Sequence, residues 1–263
     1  MFAPDGKSVY LTTDTYDGIW EYTPATRALV QVTAEPGSGY GFTVAPDGAR
    51  IAFRKTSTDK AGRTQEIVVK DLGTGTSTVV AAGREVSLPS LAAGTLVYSV
   101  GQRVEVEDEA VAAGRVTLLG IDNGKISFLK NGQRILLDPI GKGSYVWPAL
   151  SPDGSLLVAV EMSRGAFVCD TRGQNVRKLG RCNAPSWTRD GKWIVFMDDR
   201  DDGHVTQSSD LFAISGDGGR KSRLTSTRDL IEMNPNCSPA ANEVVCNTLD
   251  GRILLLQYAE EGR

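Results

Sequence analysis

A short turn motif recurs along this chain, and it constrains the fold more than any other feature. Ala3-Pro4-Asp5-Gly6-Lys7 precedes the apolar run Val9-Tyr10-Leu11. Ala45-Pro46-Asp47-Gly48 precedes Ile51-Ala52-Phe53, and Ser151-Pro152-Asp153-Gly154 precedes Leu156 to Val160. Thr188-Arg189-Asp190-Gly191-Lys192 precedes Trp193 to Met197, and Ser238-Pro239-Ala240-Ala241-Asn242 precedes Val244-Val245-Cys246. A weaker copy, Leu91-Ala92-Ala93-Gly94, precedes Leu96-Val97-Tyr98. Proline fixes its own φ at the first corner of a turn, aspartate bonds to nearby backbone, and glycine supplies positive φ. Such a motif between two apolar runs reads as a hairpin.

The run after each motif is nearly all apolar, as in a strand covered on both faces. A second pair of runs follows: Gly18 to Tyr22 then Ala28 to Val32, Glu66 to Lys70 then Ser77 to Val80, Ala166 to Asp170 then Val176 to Leu179, Asp210 to Ile214 then Ser222 to Thr225. These alternate more, as half-exposed strands do. Four strands per repeat, at intervals of roughly forty to fifty residues, is the pattern of a propeller blade. A sandwich also has many short strands but lacks this repetition. The expectation is an all-β fold: one six-bladed β-propeller of four-stranded antiparallel blades spanning residues 1–263. Seven blades stay open, because Arg84 to Lys142 holds more strand-like runs than one blade needs. Asp122-Asn123-Gly124-Lys125 before Ile126 could be a shrunken seventh anchor. The chain opens inside a repeat, so truncation at the N-terminus is expected, with an export signal upstream. The last blade then takes its fourth strand from the N-terminus.

The repeated Ser-Pro-Asp-Gly before an apolar strand, and the run from Asp210 to Thr225, resemble the TolB-type propeller repeat. The resemblance spans nearly the whole chain and is weak between Arg84 and Lys142. It implies fold more than function. TolB carries a separate N-terminal α/β domain, for which this chain has no counterpart. Related peptidases need a hydrolase domain with a Gly-x-Ser-x-Gly elbow, which is absent here. Related oligogalacturonate lyases use several histidines around a metal, and this chain has one histidine, His204. The resemblance implies a free-standing propeller, periplasmic or otherwise exported from a bacterial cell.

Net charge is −3 with a pI near 5.4 and no Lys/Arg-rich stripe, so no nucleic-acid partner is expected. No apolar run is long enough to span a bilayer, and a monomer without membrane insertion is expected. Cys169, Cys182, Cys237 and Cys246 form no CxxC pair, so a structural zinc site is excluded as the reading. Cys237 and Cys246 flank a hairpin turn. A cross-strand disulfide there is conceivable, and two small buried hydrophobes is the plainer reading.

The turn motifs look alike, whereas the connections after the second strands vary. These are Thr12 to Asp17, Arg54 to Thr64, Glu161 to Arg164, Asp198 to Ser209 and Asn247 to Asp250. Function on a repeat scaffold sits in such loops. The same end collects Tyr40, Trp147, Asn183, Trp187 and Asn234 where inner strands begin, around the mouth of a central channel. Core packing is the alternative for Trp147 and Trp187. Asp198, Asp199, Asp201 and Asp202 make a dense acidic stretch ending at His204. A calcium site, a polar contact surface and a solvated loop are the three readings of it; Arg200 stands where a second calcium ligand belongs. His204 has no nucleophile beside it in sequence. Glu161 and Asp198 end equivalent strands and could face one another as a glycosidase pair, or be neutralised by Arg164 and Arg200. The candidate ligand-binding residues are Trp147, Glu161, Arg164, Trp187, Asp198, Asp199, Asp201, Asp202, His204 and Asn234. The expected function is non-enzymatic binding of a protein or carbohydrate at the bacterial envelope, without a cofactor unless calcium binds. The alternative is a carbohydrate-active enzyme using acidic residues.

Overall fold

The recurrent turns fold as their chemistry dictates. In the computed structural model, Gly6, Gly48, Gly154 and Gly191 all have φ between +69° and +72°. Their N–H groups donate to the carbonyls of Ala3, Ala45, Ser151 and Thr188 at 2.8–2.9 Å. Each preceding aspartate accepts the N–H two residues on: Asp5 from Lys7, Asp47 from Ala49, Asp153 from Ser155 and Asp190 from Lys192, at 2.9–3.1 Å. Aspartate and glycine therefore recur because one side chain and one φ close the same turn four times.

The structure describes residues 1–60, 62–92, 94–108 and 116–259. Ala93 of the weakest motif copy, and Ala61 in the Arg54 to Thr64 connection, lie outside them. The described residues form strands in seven antiparallel sheets. Sheet 1 is β1 (Val9–Leu11), β2 (Ile19–Thr23) and β3 (Ala28–Thr33); sheet 2 is β4 (Thr43–Val44), β5 (Arg50–Asp59), β6 (Gly62–Asp71) and β7 (Ser77–Gly83). Sheet 3 is β8 (Ser90–Ala92), β9 (Thr95–Val100) and β10 (Arg103–Val106); sheet 4 is β11 (Val116–Asp122), β12 (Lys125–Lys130) and β13 (Gln133–Leu137). Sheet 5 is β14 (Tyr145–Leu150), β15 (Leu156–Glu161), β16 (Gly165–Asp170) and β17 (Arg177–Gly180). Sheet 6 is β18 (Asn183–Trp187), β19 (Trp193–Asp201), β20 (Thr206–Ser215) and β21 (Lys221–Arg223); sheet 7 is β22 (Glu232–Cys237), β23 (Glu243–Thr248) and β24 (Ile253–Gln257).

The all-β, antiparallel blade pattern is there in part: the described residues lie in seven sheets, of which sheets 2, 5 and 6 have four strands and the others three. Between Arg84 and Lys142 the described residues form two short sheets, 3 and 4. Asn123 (φ +48°) and Gly124 (φ +73°) make the tight turn into β12, in the place the repeat assigns to an anchor. In sheet 1, a bridge of Phe2 to Val9 stands where a first strand would pair.

The chain divides into two units: Met1–Leu119 with Phe128–Ile135, and Gly120–Ser127 with Leu136–Arg263. In the first, Tyr10, Ile19, Ile51, Phe53 and Val68 form one core cluster, and Ala45, Ala52, Leu91 and Leu96 a second. In the second, Val158, Val160, Trp187, Ile194 and Phe196 pack between sheets 5 and 6, and Val195, Met197, Leu211, Val244 and Cys246 between sheets 6 and 7. Ile194 and Phe196 face one way and Val195 and Met197 the other. That is why this strand is an unbroken apolar run. Among the described residues no helix is long and apolar enough to cross a membrane.

Candidate functional site

In the second unit the first strands of three consecutive sheets share one irregularity. Val146 pairs with Val160 and Ala149 with Val158, so Trp147 and Pro148 together oppose a single residue of β15. The pairs Asn183–Met197 and Ser186–Val195 bracket Ala184 and Pro185, and Met233–Asn247 and Asn236–Val245 bracket Asn234 and Pro235. Each is a β-bulge whose first residue is left-handed: φ is +50° at Trp147, +46° at Ala184 and +52° at Asn234. A Cβ makes that region unfavourable by about 1–2 kcal/mol, and a following proline disfavours it further. In sheet 2 the matching position is Gly41 (φ +70°), followed by Phe42. There the chain uses the residue that adopts this φ freely; at Trp147 and Asn234 it does not, and both side chains are exposed.

Polar groups brace this end. The Ser144 N–H donates to Glu161 Oε1 at 3.2 Å, the Asn183 amide to Asp199 Oδ1 at 2.7 Å, and the Asn234 amide to Asn247 Oδ1 at 3.0 Å. Toward the turn-motif end, the same first strands line a cavity of about 380 Å³ that includes Pro185, Ser186, Trp187, Arg189, Pro235 and Asn236. Bonds between first strands hold its wall: Trp187 Nε1 donates to the Ala149 carbonyl at 3.2 Å, and the Cys237 N–H to Ser186 Oγ at 3.0 Å.

The acidic residues singled out in the sequence go to separate partners. Glu161 is 3% exposed. Burial pushes its carboxyl up, but Ser163 (2.8 Å from its hydroxyl), the N–H groups of Ser144 and Ser163, and Arg164 at 3.3 Å hold it below the usual glutamate range. Arg164 also donates to the Ile140 and Gly141 carbonyls, at 3.0 and 2.9 Å. Glu161 and Asp198 do not face each other. Val160 points toward sheet 6, so Glu161 points to the opposite face of sheet 5; Asp198 shares the face of Ile194 and Phe196, toward sheet 5. Sheet 5 stands between them. Asp198 is paired instead with Lys221 at 3.4 Å, while Lys221 lies over the Phe196 and Phe212 rings.

The stretch read as a loop is largely strand. Asp198 to Asp201 belong to β19 and pair with Asp210, Ser209, Ser208 and Thr206. The hydroxyl-rich partner has high strand propensity at Thr206 and takes the place of solvent along the backbone. Likewise Arg54 to Thr64 is mostly the paired hairpin of β5 and β6. The turn beyond β19 is closed by Asp201, which accepts from Gly203 N, and by Asp202, which accepts from His204 N and Val205 N, each at 2.9 Å. Those backbone bonds hold the Asp202 carboxyl low. The four aspartates thus diverge. Among the described residues no group of three or more His, Cys, Asp or Glu side chains is placed to hold a metal ion. His204 is exposed on this turn, and Trp187 is 7% exposed within the core. Tyr40 packs edge-on against Tyr16 at 5.2 Å in the first unit.

Two further acids are held by several donors or deeply buried. Asp138 accepts from Lys125 Nζ, the Tyr145 hydroxyl and the Lys142 and Gly143 N–H groups, at 2.7–3.1 Å; its signal was Asp-Pro before a Gly-x-Gly loop. Glu232 is 1% exposed and accepts from the Thr227 hydroxyl at 2.9 Å, while its Oε2 has no partner among the described residues. No pattern marks Glu232.

All four cysteines are free and buried; Cys237 lies opposite Val244 and Cys246 opposite Leu254, so the two do not pair. Burial pushes each thiol up to about 12. A chromogenic thiol reagent at pH 8 is therefore expected to label none of them in the native chain and all four in denaturant. Labelling of one native thiol within minutes would contradict that burial.

No protein-family model and no curated protein sequence matches this chain. Solved structures do. TolB from Acinetobacter baumannii superposes with a TM-score of 0.61 at 17% identity, over 89% of this chain and 55% of its own. The chain thus spans about half the length of that TolB. The β-propeller domain of Cps50 (Swd1) from Myceliophteria thermophila gives 0.67 at 10% identity, over 98% and 96%. An oligogalacturonate lyase from Vibrio parahaemolyticus gives 0.63 at 14% identity, over 97% and 86%. At such identities the likeness carries the fold alone. The chain is all-β and has the β-propeller fold, similar to that of TolB.

Proposed function

We propose that this chain is a non-enzymatic binding propeller, recognising a protein or carbohydrate ligand at the bacterial envelope through the bulged ends of β14, β18 and β22. The observation that carries this reading is the strain at Trp147 and Asn234. Both hold an unfavourable φ ahead of a proline while presenting an exposed side chain, so core packing does not account for them. Backbone strain of this kind gathers at ligand-contacting sites, and it is greatest at Trp147, because asparagine enters the left-handed region more readily than tryptophan. The resemblance to TolB supports an exported location. The sequence carries no Lys/Arg-rich stripe, and the reading takes no nucleic acid, no cofactor and a monomeric state.

The test uses the immobilised chain against a glycan array and a soluble envelope extract. Trp147→Ala with Asn234→Ala is expected to weaken retention of any captured ligand at least tenfold. The melting temperature should fall by no more than a few degrees. Equal retention by wild type and the double variant would end this reading.

A second reading, a carbohydrate-active enzyme, is favoured by likeness to two oligogalacturonate lyases, one described in complex with manganese. Each is matched over 97% of this chain. Here Glu161 and Asp198 stand on opposite faces of sheet 5, and His204 is the one histidine, so the residues present do not fit a histidine-held metal. Turnover of oligogalacturonate or another glycan, followed by unsaturated or reducing ends, would replace the binding reading.

A further inference from the structure

The cavity at the turn-motif end of sheets 5, 6 and 7 has an apolar interior and an uneven mouth. Pro185, Trp187 and Pro235 are buried, whereas Pro152, Arg189 and Pro239 are exposed, so apolar rings form the floor and turn residues the rim. The floor is stiff. Each proline fixes its own φ, the Trp187 indole is tied to the Ala149 carbonyl, and Ser186 Oγ is tied to the Cys237 N–H. At about 380 Å³ the space falls in the range of small-molecule sites, which are mostly apolar with a few placed polar groups.

The three rim residues occupy one position of the repeat, the second residue of the turn motif. That position is Pro4, Pro46, Pro152 and Pro239 in four copies and Arg189 in sheet 6. The turn itself does not call for arginine. The Gly191 N–H still donates to the Thr188 carbonyl at 2.9 Å, and Asp190 still accepts the Lys192 N–H at 3.0 Å, as in the copies with proline. What arginine adds is a held charge. Its Nε donates to Asn242 Oδ1 at 2.9 Å, which fixes the guanidinium beside the turn of sheet 7. Its two terminal nitrogens have no partner among the described residues, and no carboxylate lines the cavity. The aspartates of the adjoining turns are engaged locally: Asp153 accepts from the Ser151 and Ser155 hydroxyls, and Asp190 from the Thr188 hydroxyl, with Lys192 at 3.4 Å. A fixed guanidinium edge over an apolar floor is the complement of a carboxylate on an apolar body.

We propose that this cavity binds a carboxylate carried on a compact apolar body, whether a free acid or the last residue of a polypeptide chain. The two carboxylate oxygens pair with the terminal nitrogens of Arg189, and the apolar body lies against Pro185, Trp187 and Pro235. Asn242 is a positioning residue, acting through the Arg189 Nε. The site uses neither Trp147 nor Asn234, so it stands or falls apart from the bulged end.

The probes are hydrocinnamate and the capped tripeptide acetyl-Ala-Ala-Phe with a free C-terminal carboxylate. Each is titrated calorimetrically into the full chain beside its amide. Saturable binding of at least one acid is expected, at least tenfold tighter than that of its amide. Hydrocinnamate binding alone assigns the site to free acids, and tighter binding of the tripeptide acid assigns it to chain ends. Arg189→Gln should weaken acid binding at least tenfold. Arg189→Pro restores the residue of the other turns; it should leave the melting temperature within a few degrees of wild type and abolish the preference for acid over amide. Trp147→Ala with Asn234→Ala should bind the acids as wild type does. Equal binding of acid and amide, no saturable binding of either acid, or full acid binding by Arg189→Gln would overturn the proposal. So would loss of acid binding in the Trp147 and Asn234 double variant, since the probe would then sit at the bulged end.

Discussion

Phe196→Ala is expected to destabilise the second unit by about 3–5 kcal/mol, the range for emptying a buried phenylalanine site. Phe196 is fully buried between sheets 5 and 6, among Val158, Val160, Trp187 and Ile194. Its ring stacks on Phe212 at 5.9 Å with 23° between planes. Two sheets meet there, so collapse around the missing ring requires both to move, which favours the upper half of the range. The loss also removes the surface under Lys221, whose ammonium lies 5.0 Å from the ring and 3.4 Å from Asp198. Urea denaturation should show a lower midpoint with an unchanged slope. Val205→Ala, at a 54% exposed site on the acidic hairpin, should stay within about 0.5 kcal/mol of wild type. A Phe196→Ala loss below about 1 kcal/mol would mean that sheets 5 and 6 do not share this core.

The turn motif made most of the second and third strands legible, because proline, aspartate and glycine each do one local job that no other residue does as well. Blade count was less legible. It depends on weak strands such as β8 and β10, whose pairing is decided by neighbours rather than by their own composition. The acidic run at Asp198 reads as a solvated loop: Arg200 to His204 are exposed as expected, but the backbone of Asp198 to Asp201 pairs with Thr206 to Asp210 and the carboxylates fan out to separate donors. The bulges did leave a sequence trace. Trp147-Pro148, Ala184-Pro185 and Asn234-Pro235 occupy one position relative to the following turn motif. A proline inside an inner strand signals a bulge rather than a regular ladder. The left-handed φ before each proline leaves no trace, since propensity argues against it.

Glu161→Ala is expected to cost about 2–4 kcal/mol, because it strands the donors of Ser144, Ser163 and Arg164 at a buried position. Glu161→Gln keeps the shape and one acceptor and should cost less than half as much. The pH dependence separates this scaffold role from a catalytic one. The folded carboxyl lies below its unfolded value of about 4.3. Between those two values the unfolded chain binds more protons, so stability rises with pH. The contribution is complete above the unfolded pKa and is lost as pH falls through the folded one. The stability gap between wild type and Glu161→Gln should therefore be constant above about pH 5 and shrink below about pH 4. A glutamate poised for acid catalysis would have its pKa raised, and its contribution would run the other way, diminishing as pH rises. A gap that widens on acidification would return Glu161 to the list of catalytic candidates. A gap that closes fixes it as the clamp on the turn from Met162 to Arg164, beside the bulge that presents Trp147.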